Sequence, residues 1–179
     1  MNKVIVIFFL LLTTLACEVK EKKGVVQKEY DGPMLELKDV IFYYSDSALV
    51  KVKGITPHRL EFANGDQEFP EGLYLEFYDE NGIIESTIDA NVAFYNKEED
   101  HWLGTEGVVV TEAESGKNLK TEELYWEPSE ERIHTDKFVT ISSDVEVLYG
   151  NGLDAKQDLS EYTILEPTGD FQLEEGGEI

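Results

Sequence analysis

The feature that most limits the possible folds is an alternation of apolar and polar residues with period two, repeated in short runs from Met34 to Leu165. Neighbouring side chains on a strand point to opposite faces, so this period places Leu73, Leu75 and Phe77 on one face and Tyr74, Glu76 and Tyr78 on the other. Val108 with Val110 and Val145 with Val147 repeat the pattern. No window carries the three-and-four spacing of an amphipathic helix. The expected strands are Met34–Tyr44, Ala48–Phe62, Gly72–Tyr78, Ile83–Tyr95, His101–Glu112, Asn118–Glu127, Glu131–Thr135, Phe138–Ser142, Val145–Tyr149, Gly152–Lys156 and Tyr162–Leu165.

Turn residues punctuate these runs: Asn64-Gly65, Asp79-Glu80-Asn81-Gly82, Glu114-Ser115-Gly116, Pro128-Ser129 and Asn151-Gly152. Gly and Asn adopt positive φ at little cost, and short strands joined by such turns run antiparallel. A weak internal repeat aligns Gly72 with Gly107, Gly82 with Gly116, Thr87 with Thr121 and Ala90 with Leu124. Its period of about 34 residues is in the range of stacked repeat units. Hairpins stacked in this way predict a layered all-β structure with a continuous apolar strip inside.

The N-terminal segment follows a different logic. Residues 1–16 hold one cation, Lys3, then an unbroken apolar run from Val4 to Leu12 and small or polar residues before Cys17. This is the layout of a secretory signal, and Val4 to Ala16 is too short for a spanning helix, which needs about 20 apolar residues. Cys17 is the one cysteine of the chain, and cleavage before it would leave it as the new first residue. Thr14-Leu15-Ala16-Cys17 resembles a bacterial lipobox, with the leucine one step later than usual. Lipidation of Cys17 is therefore expected, since two or more acyl chains anchor a protein stably at about 0.8 kcal/mol per buried methylene. The expected organisation is a signal over 1–16, a lipidated cysteine and flexible tether over 17–33, one β domain over 34–173 and an acidic tail over 174–179.

Charge and spacing exclude several function classes. The formal net charge of −23 repels phosphate backbones, so nucleic acid is not a partner. His58, His101 and His134 are tens of residues apart with no ligand partner at metal-site spacing, and read as surface or turn residues. Asp79-Glu80-Asn81-Gly82 and Glu98-Glu99-Asp100 have oxygen ligands suited to calcium, but in so acidic a chain they read first as solvated loops. Paired carboxylates are equally uninformative, because 38 acidic residues guarantee some pair at catalytic distance. No nucleophile elbow, phosphate loop or dinucleotide fingerprint is present, so the reading is of a binder with no cofactor.

Nine Phe, nine Tyr and two Trp are a large aromatic complement for one modest domain. They either pack a core or line an apolar groove. The stretches YSDSALVKVKGITPHRLEF from Tyr44, EFPEGLYLEFYDENGIIESTIDANVAFYNKEEDHWLGTEGVVV from Glu68, LKTEELYWEPSEERIHTDKFVTI from Leu119 and YGNGLDAKQDLSEYTI from Tyr149 resemble the LptC family of lipopolysaccharide export proteins, in its lipoprotein form. Glu-Phe-Pro-x-Gly-Leu before a strand, Gly-x-Val-x-Val, and Leu-x-Thr-Glu-Glu-Leu-x-Trp carry most of the likeness. The resemblance implies an antiparallel β-jellyroll open along one side, with no enzymatic activity. It implies that acyl chains of lipid A enter the interior, and that lipopolysaccharide comes from an inner-membrane ABC transporter, LptBFG, and leaves to an LptA-like jellyroll stacked edge to edge. Family members more often keep a spanning helix, where this chain has a lipobox.

An unclosed sheet must leave unpaired backbone groups at its edges, ready to pair with another chain. Val40, Phe42, Tyr162 and Ile164, on the first and last strands, are the edge candidates. Leu73, Leu75, Phe77, Val108, Val110, Leu124, Trp126, Phe138 and Tyr149 are the groove or core candidates, chosen by alternation. A register slip of one residue would exchange that whole set for the opposite face. The expected location is the periplasm, anchored through Cys17 to a membrane, the inner one by the resemblance. The rival reading is a surface lipoprotein whose β-sandwich binds carbohydrate or protein on exposed platforms such as Trp102 and Trp126.

Overall fold

The computed structural model describes residues 30–169, and every described element is a strand. In order these are β1 (Leu35–Asp46), β2 (Leu49–Glu61), β3 (Gln67–Phe69), β4 (Leu73–Tyr78), β5 (Ile84–Asn96), β6 (His101–Glu112), β7 (Asn118–Thr121), β8 (Leu124–Glu127), β9 (Arg132–Ser142), β10 (Val147–Lys156) and β11 (Tyr162–Thr168). The expected signal, Cys17, most of the expected tether and the acidic tail lie outside the described residues.

All pairings are antiparallel, in one eleven-stranded sheet with β1 and β11 at its two ends. The long strands change partner midway. β2 pairs with β4 through Val52–Ile55 and with β3 through Leu60–Glu61. β5 pairs with β4 up to Ala90 and with β3 from Ala93. β6 pairs with β8 in its first half and β7 in its second, and β9 does the same. The two sets of half-strands form two layers facing each other, one around β4 and β7, the other around β3 and β8. Ring contacts cross between them, as in Phe77 of β4 against Trp126 of β8 at 5.0 Å, edge to face.

The bends between layers fall on residues suited to an irregular backbone. Asp39 and Glu106 hold positive φ, Pro57 lacks a ladder donor, and Gly152 (φ 75) sits at a bulge in β10. Asn91 spans the corner by donating from Nδ2 to the Glu106 carbonyl at 2.7 Å. This explains where the expected strands were cut: Glu131–Thr135 and Phe138–Ser142 are one strand, β9, bent at Asp136-Lys137, and β10 is likewise continuous through Gly152. Conversely, the expected strand Asn118–Glu127 is two, β7 and β8, one in each layer. β3 was not anticipated, because three residues are too few to display a period. The aligned glycines of the internal repeat share a backbone state, with φ of 101 and 97° at Gly72 and Gly107 and of 76 and 69° at Gly82 and Gly116. The Thr87–Thr121 match fails, since Thr121 is buried while Thr87 pairs with Glu76 and Thr111 and is only half-buried.

Candidate functional site

The space between the layers is apolar. Leu73, Leu75, Phe77, Val108, Val110, Leu124 and Trp126, seven of the nine groove or core candidates, are all buried there. Burying such side chains stabilises the fold by roughly 1.5–3 kcal/mol each. Leu73, Leu75, Val108, Leu124 and Trp126, joined by Ile88, Ala90, Ala93 and Trp102, line a cavity of about 20 Å³. A void of that size has room for little more than one water, and its walls are almost wholly hydrocarbon. A chain of methylenes does not fit in a space of this size.

Phe138 and Tyr149 require a correction. Both are exposed, at 52% and 43%, and they stack on each other outside the sandwich with centroids 6.3 Å apart. In β10 the bulge between Asn151 and Leu153 reverses the phase of alternation. Counting back by twos from the buried Leu153 therefore arrives at Tyr149 on the wrong face, while Gly150 and the half-buried Leu148 face inward. In β9 the sequence offers two adjacent apolar residues, and it is Val139, at 0% exposure, that points in.

The edge candidates lie on the two end strands. Val40 and Phe42 are on β1, which among the described residues pairs only with β2, and Tyr162 and Ile164 are on β11, which among them pairs only with β10. Pro167 in β11 suits an edge, where its missing N–H costs no ladder bond. Phe42 does more than mark an edge. Its ring turns inward over Gly54, where any added Cβ would stand 2.1 Å from it, and stacks on Trp102 at 6.3 Å and 9°. Trp102, Phe69 and Tyr95 complete an aromatic cluster at this end of the interior. Both indoles thus belong to the interior, Trp126 being only 7% exposed, so neither offers the open platform of the carbohydrate-binding reading.

Sequence reasoning missed a polar structure where the β10–β11 turn meets the layers. The β10–β11 turn tucks Leu159, fully buried, beneath the layers, and Gln157 binds both of them. Ser86 of β5 donates to the Gln157 carbonyl at 2.8 Å, and Trp126 Nε1 donates to Gln157 Oε1 at 2.9 Å. The pairing of an indole N–H with a glutamine 31 residues away leaves no local trace in the sequence.

Ionisable groups cluster on the outside. Tyr78 and Lys53 both donate to Glu76, and the Tyr78 hydroxyl, followed by Lys53, holds that carboxyl below the usual carboxylate range. Burial, then a hydrogen bond to Asp100, pushes Tyr95 up to about 12. Burial and the neighbouring Asp158 raise Glu85. His58 contacts Glu36 and Glu71 at 2.9 and 3.1 Å, while His134 stacks on Tyr125; the histidines sit on strands rather than turns. Among the described residues no three His, Cys, Asp or Glu side chains converge as metal ligands, and no helix is long and apolar enough to cross a membrane.

This bent, two-layered sheet with an apolar interior can be set beside known proteins. The lipopolysaccharide-assembly, LptC-related family matches residues 60–168, from the end of β2 to the end of β11. The chain belongs to this family. Its all-β, antiparallel architecture is that of the LptC-like jellyroll, and the family is one of lipopolysaccharide transport proteins, not of enzymes. No curated protein matches the chain. The matched segment includes every buried groove residue named above, while β1 and most of β2 lie before it.

Proposed function

We propose that this LptC-related chain is a periplasmic lipoprotein that takes the acyl chains of lipid A between its two layers and leaves the sugar in water. It receives lipopolysaccharide from an inner-membrane ABC transporter of the LptBFG type and passes it to an LptA-like jellyroll. The observation that carries this reading is the cavity between the layers, whose lining is hydrocarbon from both sides of an unclosed sheet. Acyl binding draws on apolar area at about 25 cal/mol per Å² and requires no ion pairs, which suits an interior walled by Leu, Val and Trp. The two end strands of the described sheet, β1 and β11, have the backbone groups that a neighbouring jellyroll would extend.

The test is site-specific photocrosslinking in cells. Crosslinkers at Leu73 and Leu124 should capture lipopolysaccharide, and those at Phe138 and Tyr149, on the outside of the same domain, should not. Equal capture from inside and outside would defeat the reading. Depletion of the protein should make lipopolysaccharide accumulate at the inner membrane. The anchor is assigned to Cys17, so Cys17→Ser should move the protein from the membrane to the soluble fraction.

A further inference from the structure

Register carries the inner face of the sheet across to β2, where its chemistry changes. Trp102 pairs with Trp126 on one side and with Tyr95 on the other, Tyr95 pairs with Gln67, and Gln67 with Glu61. Directly opposed residues of an antiparallel pair share a face, so Glu61, and Arg59 two residues before it, lie on the face that holds both indoles. Leu60 pairs with Glu68, which sets Arg59 level with the fully buried Phe69, and on its other side Arg59 pairs with Leu37 of β1. A row of inward side chains that is indole at β6 and β8 thus reaches a guanidinium and a carboxylate on β2. Lys51, Lys53, Lys120, Arg132 and Lys156, by contrast, each stand one position from a buried residue, on the outer face.

Arg59 is poorly solvated for a cation. Its side chain is 19% exposed, and a guanidinium does not give up its charge in a protein. Glu61 accepts from Nη2 at 2.6 Å. The adjacent Nε–H is buried and has no acceptor, the one side-chain nitrogen or oxygen so placed among the described residues. Nε and Nη2 present two parallel N–H donors, a fork that fits two oxygens on one carbon or phosphorus. Glu61 bonds Nη2 alone and leaves the Nε member of that fork unused. A buried charged donor is costly to leave unmade, and what satisfies it best is an anionic oxygen.

We infer that Arg59 is a head-group subsite of the interior: through Nε and Nη2 it takes an oxyanion, phosphate or carboxylate, borne by an amphiphile whose hydrocarbon lies along the Trp102–Trp126 row. The inference rests on the acyl-chain reading above and adds to it the choice of head group. Apolar area supplies most of the affinity, and Arg59 discriminates among amphiphiles of one chain length. A chain does not fit the space as it stands, so its entry widens the interior, and the widening uncovers Nε to the oxygen that arrives with the chain. Glu61 remains beside Nη2 to take the guanidinium back, so the subsite does not hold the amphiphile against onward passage.

The probes are dodecyl phosphate, uncharged dodecyl maltoside and inorganic phosphate, the amphiphiles kept below their micelle concentrations. Each is added to the full chain and followed by tryptophan fluorescence and by the arginine Nε–H signals of proton–nitrogen correlation spectra. Salt at about 0.15 M screens the chain's negative field beyond about 8 Å. Wild type should bind dodecyl phosphate about tenfold more tightly than dodecyl maltoside, and the Arg59 Nε–H signal should move downfield with the phosphate amphiphile alone. Arg59→Gln should abolish that preference while leaving maltoside affinity within about twofold, and Arg59→Lys, which keeps the charge without the fork, should restore only part of it. Binding of neither amphiphile would overturn the acyl-chain reading itself. Equal binding of both by wild type, or a preference that survives Arg59→Gln, would keep that reading and overturn the subsite. Inorganic phosphate should leave the Nε–H signal in place at concentrations where dodecyl phosphate saturates; an equal shift would assign Arg59 to a free anion and overturn the head-group role. Should the variants fail to fold, the wild-type signal decides, and its failure to move with dodecyl phosphate refutes the inference.

Discussion

A single missing carbon sets the geometry at Gly54. The Phe42 ring occupies the place a Cβ would take, so Gly54→Ala must expel the ring or shift β1. The expected cost is about 1–3 kcal/mol, the range for overpacking, seen as a lower melting temperature with increased exposure of Trp102 by fluorescence. Phenylalanines at other positions separate the two faces of the sheet. Phe77→Ala should destabilise by about 3–5 kcal/mol, since the ring is fully buried against Trp126. Phe138→Ser should stay within about 0.5 kcal/mol, because that ring is half in water. Denaturant midpoints of the two variants check both, and a comparable loss at Phe138 would show that its outward placement is wrong. The alternation of Leu73, Leu75 and Phe77 was enough to place those three inside, because β4 runs straight through one layer. The same arithmetic misplaced Tyr149, because the β10 bulge reverses the phase and nothing but Gly152 announces it.

The first strands, β1, β2, β4, β5 and β6, were located to within a residue or two, while β3 was lost, β9 and β10 were split and β7 and β8 were fused. β3 had too few residues, and the bends of β9 and β10 looked like turns because Asp, Lys, Asn and Gly serve equally for corners and for loops. That one strand serves two layers is a property of pairing between distant residues, which a one-dimensional pattern does not contain. The contact of the β10–β11 turn with both layers has the same character: Ser86, Trp126 and Gln157 are ordinary residues until β5, β8 and that turn meet. Ser86→Ala should cost about 1 kcal/mol, the net worth of a buried hydrogen bond plus the stranded Gln157 carbonyl, measurable by equilibrium denaturation. A neutral result would mean that the carbonyl finds water instead and that the turn is held by Leu159 alone.

At the scale of the molecule, acidity dominates. A net charge of −23 makes the folded state repel itself, so raising ionic strength from about 0.01 to 0.15 M, which shortens the screening length from about 30 to 8 Å, should raise the melting temperature. A fall with salt would show that attractive pairs outweigh the repulsion. The pH dependence has a specific contributor. Glu76 has its folded value depressed by Tyr78 and Lys53, so its stabilisation is complete above the ordinary carboxylate range near 4.5 and is lost as pH falls through the lower folded value. Glu76→Gln should therefore give a stability curve flatter in acid than the wild type's, and unchanged steepness there would remove Glu76 as a source.

Along this sheet each strand is hydrogen-bonded to the strands beside it, and the long strands β2, β5, β6 and β9 each give a half to both layers. Length along the stack is thus counted in whole rungs, much as a ladder is lengthened, and a chain that gained or lost one such pair would lengthen or shorten its trough without redesigning the rest. The length of the apolar interior is then an integer written into the number of hairpins.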